Sequence, residues 1–393
     1  MITNALMNTY NRLPLSFTRG SGVWLWDEQD NSYLDALAGI AVCGLGHAHP
    51  TVSQVIAEQA ATLLHTSNMY HIPHQEQLAQ KLTRLSQMDT IFFGNSGAEA
   101  NEAAIKIARL YGHQKGIDTP TIVVMDGSFH GRTLATLTAS GNRKIQAGFE
   151  PLVQGFVRIP YNDLTALQQV ADHSPQVVAV LLEPIQGEGG IQVPDDDYLA
   201  KVRAICDAKQ WLMMLDEIQT GLCRTGQWFA YQHSPQAHPD VMTLAKALGN
   251  GVPISACLAS GPAAEIFQPG NHGSTYGGNP FACRVASTVI HILEKENLQE
   301  HAAQLGKYIR HEFRQQLAPI SGITDIRGKG LMIGIELDRP CTELVKMCAN
   351  NGLLINVTAD KVIRLLPPLI LTKDEADQIV QRLTKTIKAF IAQ

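Results

Sequence analysis

Trp211-Leu-Met-Met-Leu-Asp216-Glu-Ile-Gln-Thr-Gly221 decides the fold: five apolar residues run without a break and stop at two adjacent carboxylates. A strand that is apolar throughout, rather than alternating, is buried on both faces, which is the situation of a parallel sheet covered by helices. Runs of the same kind occur at 121–125, 177–182 and 241–244, and further strands are read at 90–93 and 254–259. Helical spacing of apolar residues predicts helices over 98–111, 163–171 and 198–209 between them, preceded by helices over 50–65 and 75–86. Strand and helix in turn build βαβ units, so the sheet is mainly parallel with helices on both faces.

Beyond Asn279 the pattern changes. Long helices are predicted over 280–296 and 298–317, then strands over 323–326 and 331–337, and helices over 342–350 and 373–391. This is a smaller α+β unit. At the other end, residues 22–35 read as two short strands joined by a polar turn over 27–31, and they are expected to pack on that unit. The chain is therefore read as α/β, with a large domain over 50–280 and a small one formed by 1–49 with 281–393.

Composition narrows the function. The 393 residues are 45% hydrophobic and 17% charged, and the net charge of -5 offers nothing to nucleic acid or an anionic membrane surface. No apolar run reaches the length of a membrane span. The first residues lack a basic region followed by an apolar core, so no signal peptide is read and a cytoplasmic location is expected. Seven cysteines include no C-x-x-C, and the His47-Ala-His49 and His71-Ile-Pro-His74 pairs have no acidic or cysteine cluster at matching spacing, so no metal is expected.

The chemistry lies at the strand ends. Asp216 would be costly there unless it met a cation, and a protonated pyridine nitrogen is one; an ordinary loop-start cap is the plainer alternative. Lys246, in Leu244-Ala-Lys-Ala-Leu-Gly-Asn-Gly-Val-Pro253, follows a buried strand, where burial would lower its pKa and favour covalent amine chemistry; a lone lysine can equally snorkel. Gly97 and Ala98 open a helix after a strand, where free N–H groups and the dipole attract phosphate, or where Asn95 or Ser96 merely caps. The stretch is neither a P-loop nor a G-x-G-x-x-G dinucleotide turn. Phe129 could stack on a flat ring and Arg132 could grip a carboxylate, against a core phenylalanine and a solvated arginine.

Taken together, N-S-G-A-E-A-N-E (95–102), F-H-G-R-T (129–133), E-P-I-Q-G-E (183–188), D-E-I-Q-T-G (216–221), L-A-K-A-L-G-N-G-V-P (244–253) and G-S-T-Y-G-G-N-P (273–280) resemble the class III aminotransferases, pyridoxal-phosphate (PLP) enzymes of fold type I. The similarity extends from the bend at 44–50 to Arg364-Leu-Leu-Pro-Pro-Leu. It implies that Lys246 binds PLP covalently and then moves a proton, and that Asp216 pairs with the ring nitrogen. Phe129 and Ile218 would sandwich the ring, Gln219 would bond its hydroxyl, and Glu217 would join the cofactor contacts. Gly97 and Ala98 would hold the phosphate, together with Thr275 of a second subunit in a homodimer with shared sites. Arg132 and Ser274 match positions that hold a substrate carboxylate. Glu188 and Arg364 match a pair that lets one pocket take two substrates, Glu188 covering Arg364 until a second carboxylate arrives.

The nearest likeness implies N2-acetylornithine as amino donor and 2-oxoglutarate as acceptor, a step of arginine biosynthesis. Succinylornithine, ornithine, 4-aminobutyrate and succinyl-diaminopimelate remain alternative donors. A semialdehyde aminomutase or a non-enzymatic relative would be a different class of protein. Three residues depart from the common pattern: Ala98 for Thr, Ile218 for Val, and Cys223 for Gly. Only the last bears on backbone shape, since a cysteine at positive φ is strained.

Overall fold

A computed structural model describes residues 5–392, so the first four residues of the stretch read for a signal peptide lie outside the described ones. At its centre is a seven-stranded sheet in the order Thr90–Gly94, Ser255–Ala259, Val241–Leu244, Leu212–Asp216, Val177–Leu182, Thr121–Met125, Phe156–Ile159. The last five are joined by parallel pairings, and Ser255–Ala259 alone runs against both of its neighbours. Every residue of Thr121–Met125, Val177–Leu182, Leu212–Asp216, Val241–Leu244 and Ser255–Ala259 is buried, as their unbroken apolar sequence requires. Because these strands are mainly parallel, residues 126–132, 183–188, 216–219 and 245–246 all leave the sheet at one edge.

The helix Gly97–Gln114 lies on the sheet through Ala100, Ala103, Ala104 and Ala108, all essentially fully buried; small side chains let it approach closely. Helices Tyr198–Lys209, Leu298–Leu317 and Lys373–Ile391 fall where the periodicity puts them. The strand Phe156–Ile159 was not anticipated. It is a four-residue edge strand carrying Arg158, whose guanidinium bonds the carbonyls of Thr138 and Ser140 at 2.7 Å; a charged edge residue blunts the edge and hides the pattern.

The N-terminal strands Phe17–Ser21, Trp24–Asp27 and Ser32–Asp35 form a sheet completed by Leu353–Leu354 from the far end of the chain. A further antiparallel sheet has the order Ile323–Lys329, Met332–Leu337, Val362–Leu365, Asn356–Thr358. No helix among the described residues is long and apolar enough to cross a membrane. Among the same residues no group of three or more His, Cys, Asp or Glu is placed to hold a metal ion.

Residues Ala38–Ala41 form a turn that the sequence does not announce. All four have positive φ, between 50° and 65°, which costs about 1–2 kcal/mol for each non-glycine residue. Asp35 holds the turn: Oδ1 accepts from the N–H groups of Leu37 and Ala38, both at 2.9 Å, while Oδ2 meets His47 Nε2 at 2.8 Å. Hydrogen bonding to Asp35, and then to Cys43, raises the His47 pKa from 6.5 to about 9 against the opposing effect of burial. A raised histidine pKa adds stability that is complete below the unfolded value and is lost as pH rises through the folded one. Urea stability should therefore fall between about pH 6.5 and 9 more steeply in the wild-type protein than in a His47→Gln variant. Equal slopes would contradict the assignment.

Candidate active site

The strand ends converge on a cavity of about 450 Å³, a size suited to a small organic cofactor with its substrate. Lys246 lies on its wall, one residue past the end of Val241–Leu244 and Ala245. Its backbone is strained at φ 45°. Burial lowers its pKa, while Asp216 and Glu188 push the other way. The amine is thus shifted toward the neutral, nucleophilic form. Behind it Asn250, also at positive φ, accepts from the Leu45 N–H at 2.8 Å and donates to the Gly46 carbonyl, tying the lysine turn to the 44–46 bend.

Asp216 ends the neighbouring strand and is 3% exposed. Its Oδ1 accepts from the Ile218 N–H at 3.1 Å, and Oδ2 from Asn101 Nδ2 at 2.8 Å. His130 Nδ1 lies 2.8 Å from the same Oδ2. An ionised carboxylate only accepts, so the imidazole donates from Nδ1. Asn101 also donates to the His130 carbonyl and accepts from the Thr243 hydroxyl, each at 2.8 Å. It therefore links the helix, the 126–132 loop and two strands.

Neither Asn101 nor His130 was singled out from the sequence, although both stand inside quoted motifs. The available signal was a lone polar residue one turn into an alanine-faced helix, and an imidazole next to Phe129. Glu183 was passed over in the same way. Its two oxygens accept from the Phe129 N–H at 2.9 Å and the Gly187 N–H at 3.0 Å. Burial raises its pKa to about 7, Asp216 adding to the rise and His130 opposing it.

Gly97 and Ala98 line the cavity at the first turn of their helix. The Ser96 hydroxyl caps that helix by accepting from the Glu99 N–H at 3.3 Å, so capping and an open anion cradle coexist. A Cβ on Gly97 would stand 2.8 Å from Ile218 Cδ1; only glycine leaves this space. Phe129 and Ile218 also line the cavity, and the Arg132 guanidinium sits 5.7 Å from the centre of the Phe129 ring. The cradle, an aromatic face, a buried carboxylate and a desolvated amine together suit a flat, phosphorylated ring with a cationic nitrogen and a carbonyl group.

Glu188 and Arg364 meet. Arg364 Nη1 donates to Glu188 Oε1 at 2.6 Å and, more weakly, to Gln219 Oε1 at 3.4 Å. Arg364 is fully buried, whereas the Glu188 side chain is 39% exposed toward the cavity mouth.

Arg364 lies behind Glu188 and Gln219 without lining the cavity itself, and three further expected residues lie elsewhere. Glu217, read as a cofactor contact, is corrected: its carboxylate accepts from the Thr220 hydroxyl and the N–H groups of Ala230 and Tyr231, and it does not line the cavity. Successive side chains at a strand end point to opposite sides, so facing Asp216 inward turns Glu217 away. Burial raises its pKa to about 7. Thr275 is exposed, and Ser274 lines a separate hollow of about 370 Å³, touching the cavity wall only through Asn95 Nδ2 at 3.3 Å. Cys223 has φ 70°, the strained geometry that its place in a glycine position foretold.

A model of the family described as aminotransferase class-III matches residues 6–387. The acetylornithine aminotransferase of Nitrosomonas europaea is 58% identical over 386 residues, 98% of each chain. An ornithine aminotransferase structure from Toxoplasma gondii, described with partial occupancy of PLP at its active site, matches with a TM-score of 0.95 and 35% identity, over 98% of this chain and 92% of that one. The acetylornithine aminotransferase structure from Elizabethkingia anophelis gives a TM-score of 0.87 at 35% identity, over 98% and 96%.

Replacing Asn101 by Leu strips a donor from buried Asp216 and an acceptor from Thr243, so unfolding in urea should show a loss of about 1–3 kcal/mol. Wild-type stability in that variant would mean that the network is not strained by the loss.

Proposed function

The chain belongs to the class-III aminotransferases, and from that premise we propose that it moves the terminal amine of N2-acetylornithine to 2-oxoglutarate, giving N-acetylglutamate semialdehyde and glutamate in arginine biosynthesis. The observation that carries the proposal is the convergence of Lys246, Asp216, Phe129 and the 97–98 helix start on one cavity, with Arg132 and Glu188 at its mouth. Bound PLP would supply the electron sink through which an amino group can leave one substrate and reach another. Lys246, its buried amine shifted toward the neutral form, would be the residue to hold it and to carry a proton at the substrate carbon. Asp216, hydrogen-bonded by Asn101 and His130, would pair with the ring nitrogen, and Gln219 would serve the ring hydroxyl. Phe129 and Ile218 would pack against the ring, and Gly97 and Ala98 would offer N–H groups to the phosphate.

Arg132, with Ser274, takes the donor's distant carboxylate. The reacting end of this donor carries an amine and no carboxylate, and Glu188 closed on Arg364 hides the cation from it. When 2-oxoglutarate arrives, its α-carboxylate takes the place of Glu188 on Arg364. A mutase that handled only one kind of substrate would not need such a cover.

The reading also assigns the protein to a cytoplasmic homodimer. Thr275 and Ser274 lie away from the cavity of their own chain, which supports their serving the partner subunit's phosphate and substrate. The exposed Leu63, Leu64, Met69, Tyr70 and Tyr276 near them offer apolar surface for such contact. Residues 50–280 are taken as the cofactor-binding domain and 1–49 with 281–393 as the small one, a division favoured by the sheet that 17–35 shares with 353–354.

Purified protein should be yellow with bound PLP, and N2-acetylornithine alone, without any keto acid, should bleach it. Ornithine, succinylornithine and 4-aminobutyrate should do so more slowly. No bleaching by any of the four would overturn transamination, and a faster competitor would replace acetylornithine as the donor.

A further inference from the structure

Arg364 has more than one partner, and the arrangement of the others is specific. Across the sheet it stands directly opposite Asn356, in the antiparallel pairing of Asn356–Thr358 with Val362–Leu365. The Asn356 Oδ1 accepts from Arg364 Nε at 3.0 Å. Two residues along the same strand, the Thr358 hydroxyl donates to the main-chain carbonyl of Glu188. One short strand therefore touches both members of the Glu188–Arg364 pair, the side chain of the arginine and the backbone of the glutamate. Arg364 Nη2, fully buried, has no hydrogen-bond partner among the described residues.

A guanidinium offers a carboxylate two forked edges, one through Nε and Nη2 and one through Nη1 and Nη2. With Nε occupied by Asn356, only the second edge is available, and Glu188 now occupies half of it. Departure of Glu188 would leave Nη1 and the unpartnered Nη2 side by side as a ready two-pronged site. Without Asn356 the guanidinium would have only the long 3.4 Å contact to Gln219 to hold its orientation at that moment.

Resting on the reading of Arg364 given under Proposed function, we infer that the strand Asn356–Thr358 is the fixed frame of the substrate switch. Asn356 is a positioning residue that keeps Arg364 aimed at the incoming carboxylate while Glu188 is away. Thr358 pins the Glu188 backbone, so that only the glutamate side chain moves. The two-sided chemistry then reduces to one rotating carboxylate between fixed walls.

The test uses the PLP-loaded protein and glutarate, a dicarboxylate that cannot react, titrated by calorimetry. Asn356→Leu removes the acceptor at nearly constant volume and should raise the glutarate Kd about tenfold, as loss of a hydrogen bond to a charged group does. In single-turnover measurements the 2-oxoglutarate step should slow about tenfold more than the acetylornithine step. A purely structural asparagine would slow both steps alike. Asn356→Ala should show the same imbalance, and serves if the leucine variant fails to fold. Arg364→Lys is the reference. If it weakens glutarate while both Asn356 variants bind as wild type, the positioning role is wrong. If Arg364→Lys itself binds glutarate as wild type, the reading of Arg364 fails, and the frame fails with it.

Discussion

Asp216 ends a fully buried strand with a carboxylate that is 3% exposed, and Asn101, His130 and the Ile218 N–H hold it there. A buried charge is tolerated when it is hydrogen-bonded and meets an opposite charge. The three donors meet the first requirement, and the cavity they border leaves room for the second. Much of the surrounding architecture serves that carboxylate. The helix 97–114 brings Asn101 to it with its first turn open to an anion, and the loop after Thr121–Met125 brings His130 with Phe129 alongside. The next strand places Lys246 across the cavity. A ligand with phosphate at one end and a cationic ring nitrogen at the other is the complement of this wall.

Some of the chain's strained backbone borders the same place. Lys246 sits at φ 45°, Leu222 and Cys223 at 56° and 70°, and Ala38 to Ala41 all lie at positive φ, just before Val42 on the cavity wall. Such conformations persist where the surroundings over-determine them. Here Asp35 clamps the 38–41 turn, and Asn250 ties the lysine turn to the 44–46 bend. The 38–41 turn and the lysine turn are thus each tied down by hydrogen bonds beside the cavity.

The parallel sheet was legible because its strands are buried on both faces and their sequences show it: Val177–Leu182 and Val241–Leu244 fall where the apolar runs lie. The strands 353–354, 356–358 and 362–365 went unread. They are short, and two of them carry a polar residue with a task, Asn356 and Arg364, which breaks the apolar pattern. The same conflict between local pattern and function hid Asn101, a polar residue on the buried face of a helix. Lys246 and Asp216 were singled out from their places at strand ends, and Arg364 through the resemblance of its motif. Their supports were not, since a hydrogen bond between residues 101 and 216 leaves no periodic trace. Glu217, beside Asp216 in sequence, turns its carboxylate to Thr220, Ala230 and Tyr231 instead of the cavity.

The sharpest measurement of the role of Asp216 is the nitrogen-15 chemical shift of the PLP ring nitrogen in the loaded protein, followed against pH in the wild type and in Asp216→Ala. A carboxylate that Asn101, His130 and the Ile218 N–H fix beside that nitrogen should keep it protonated throughout the neutral range, and its removal should release the proton within that range. An unprotonated ring nitrogen in the wild type, or the same titration in both proteins, would contradict the central role given to Asp216.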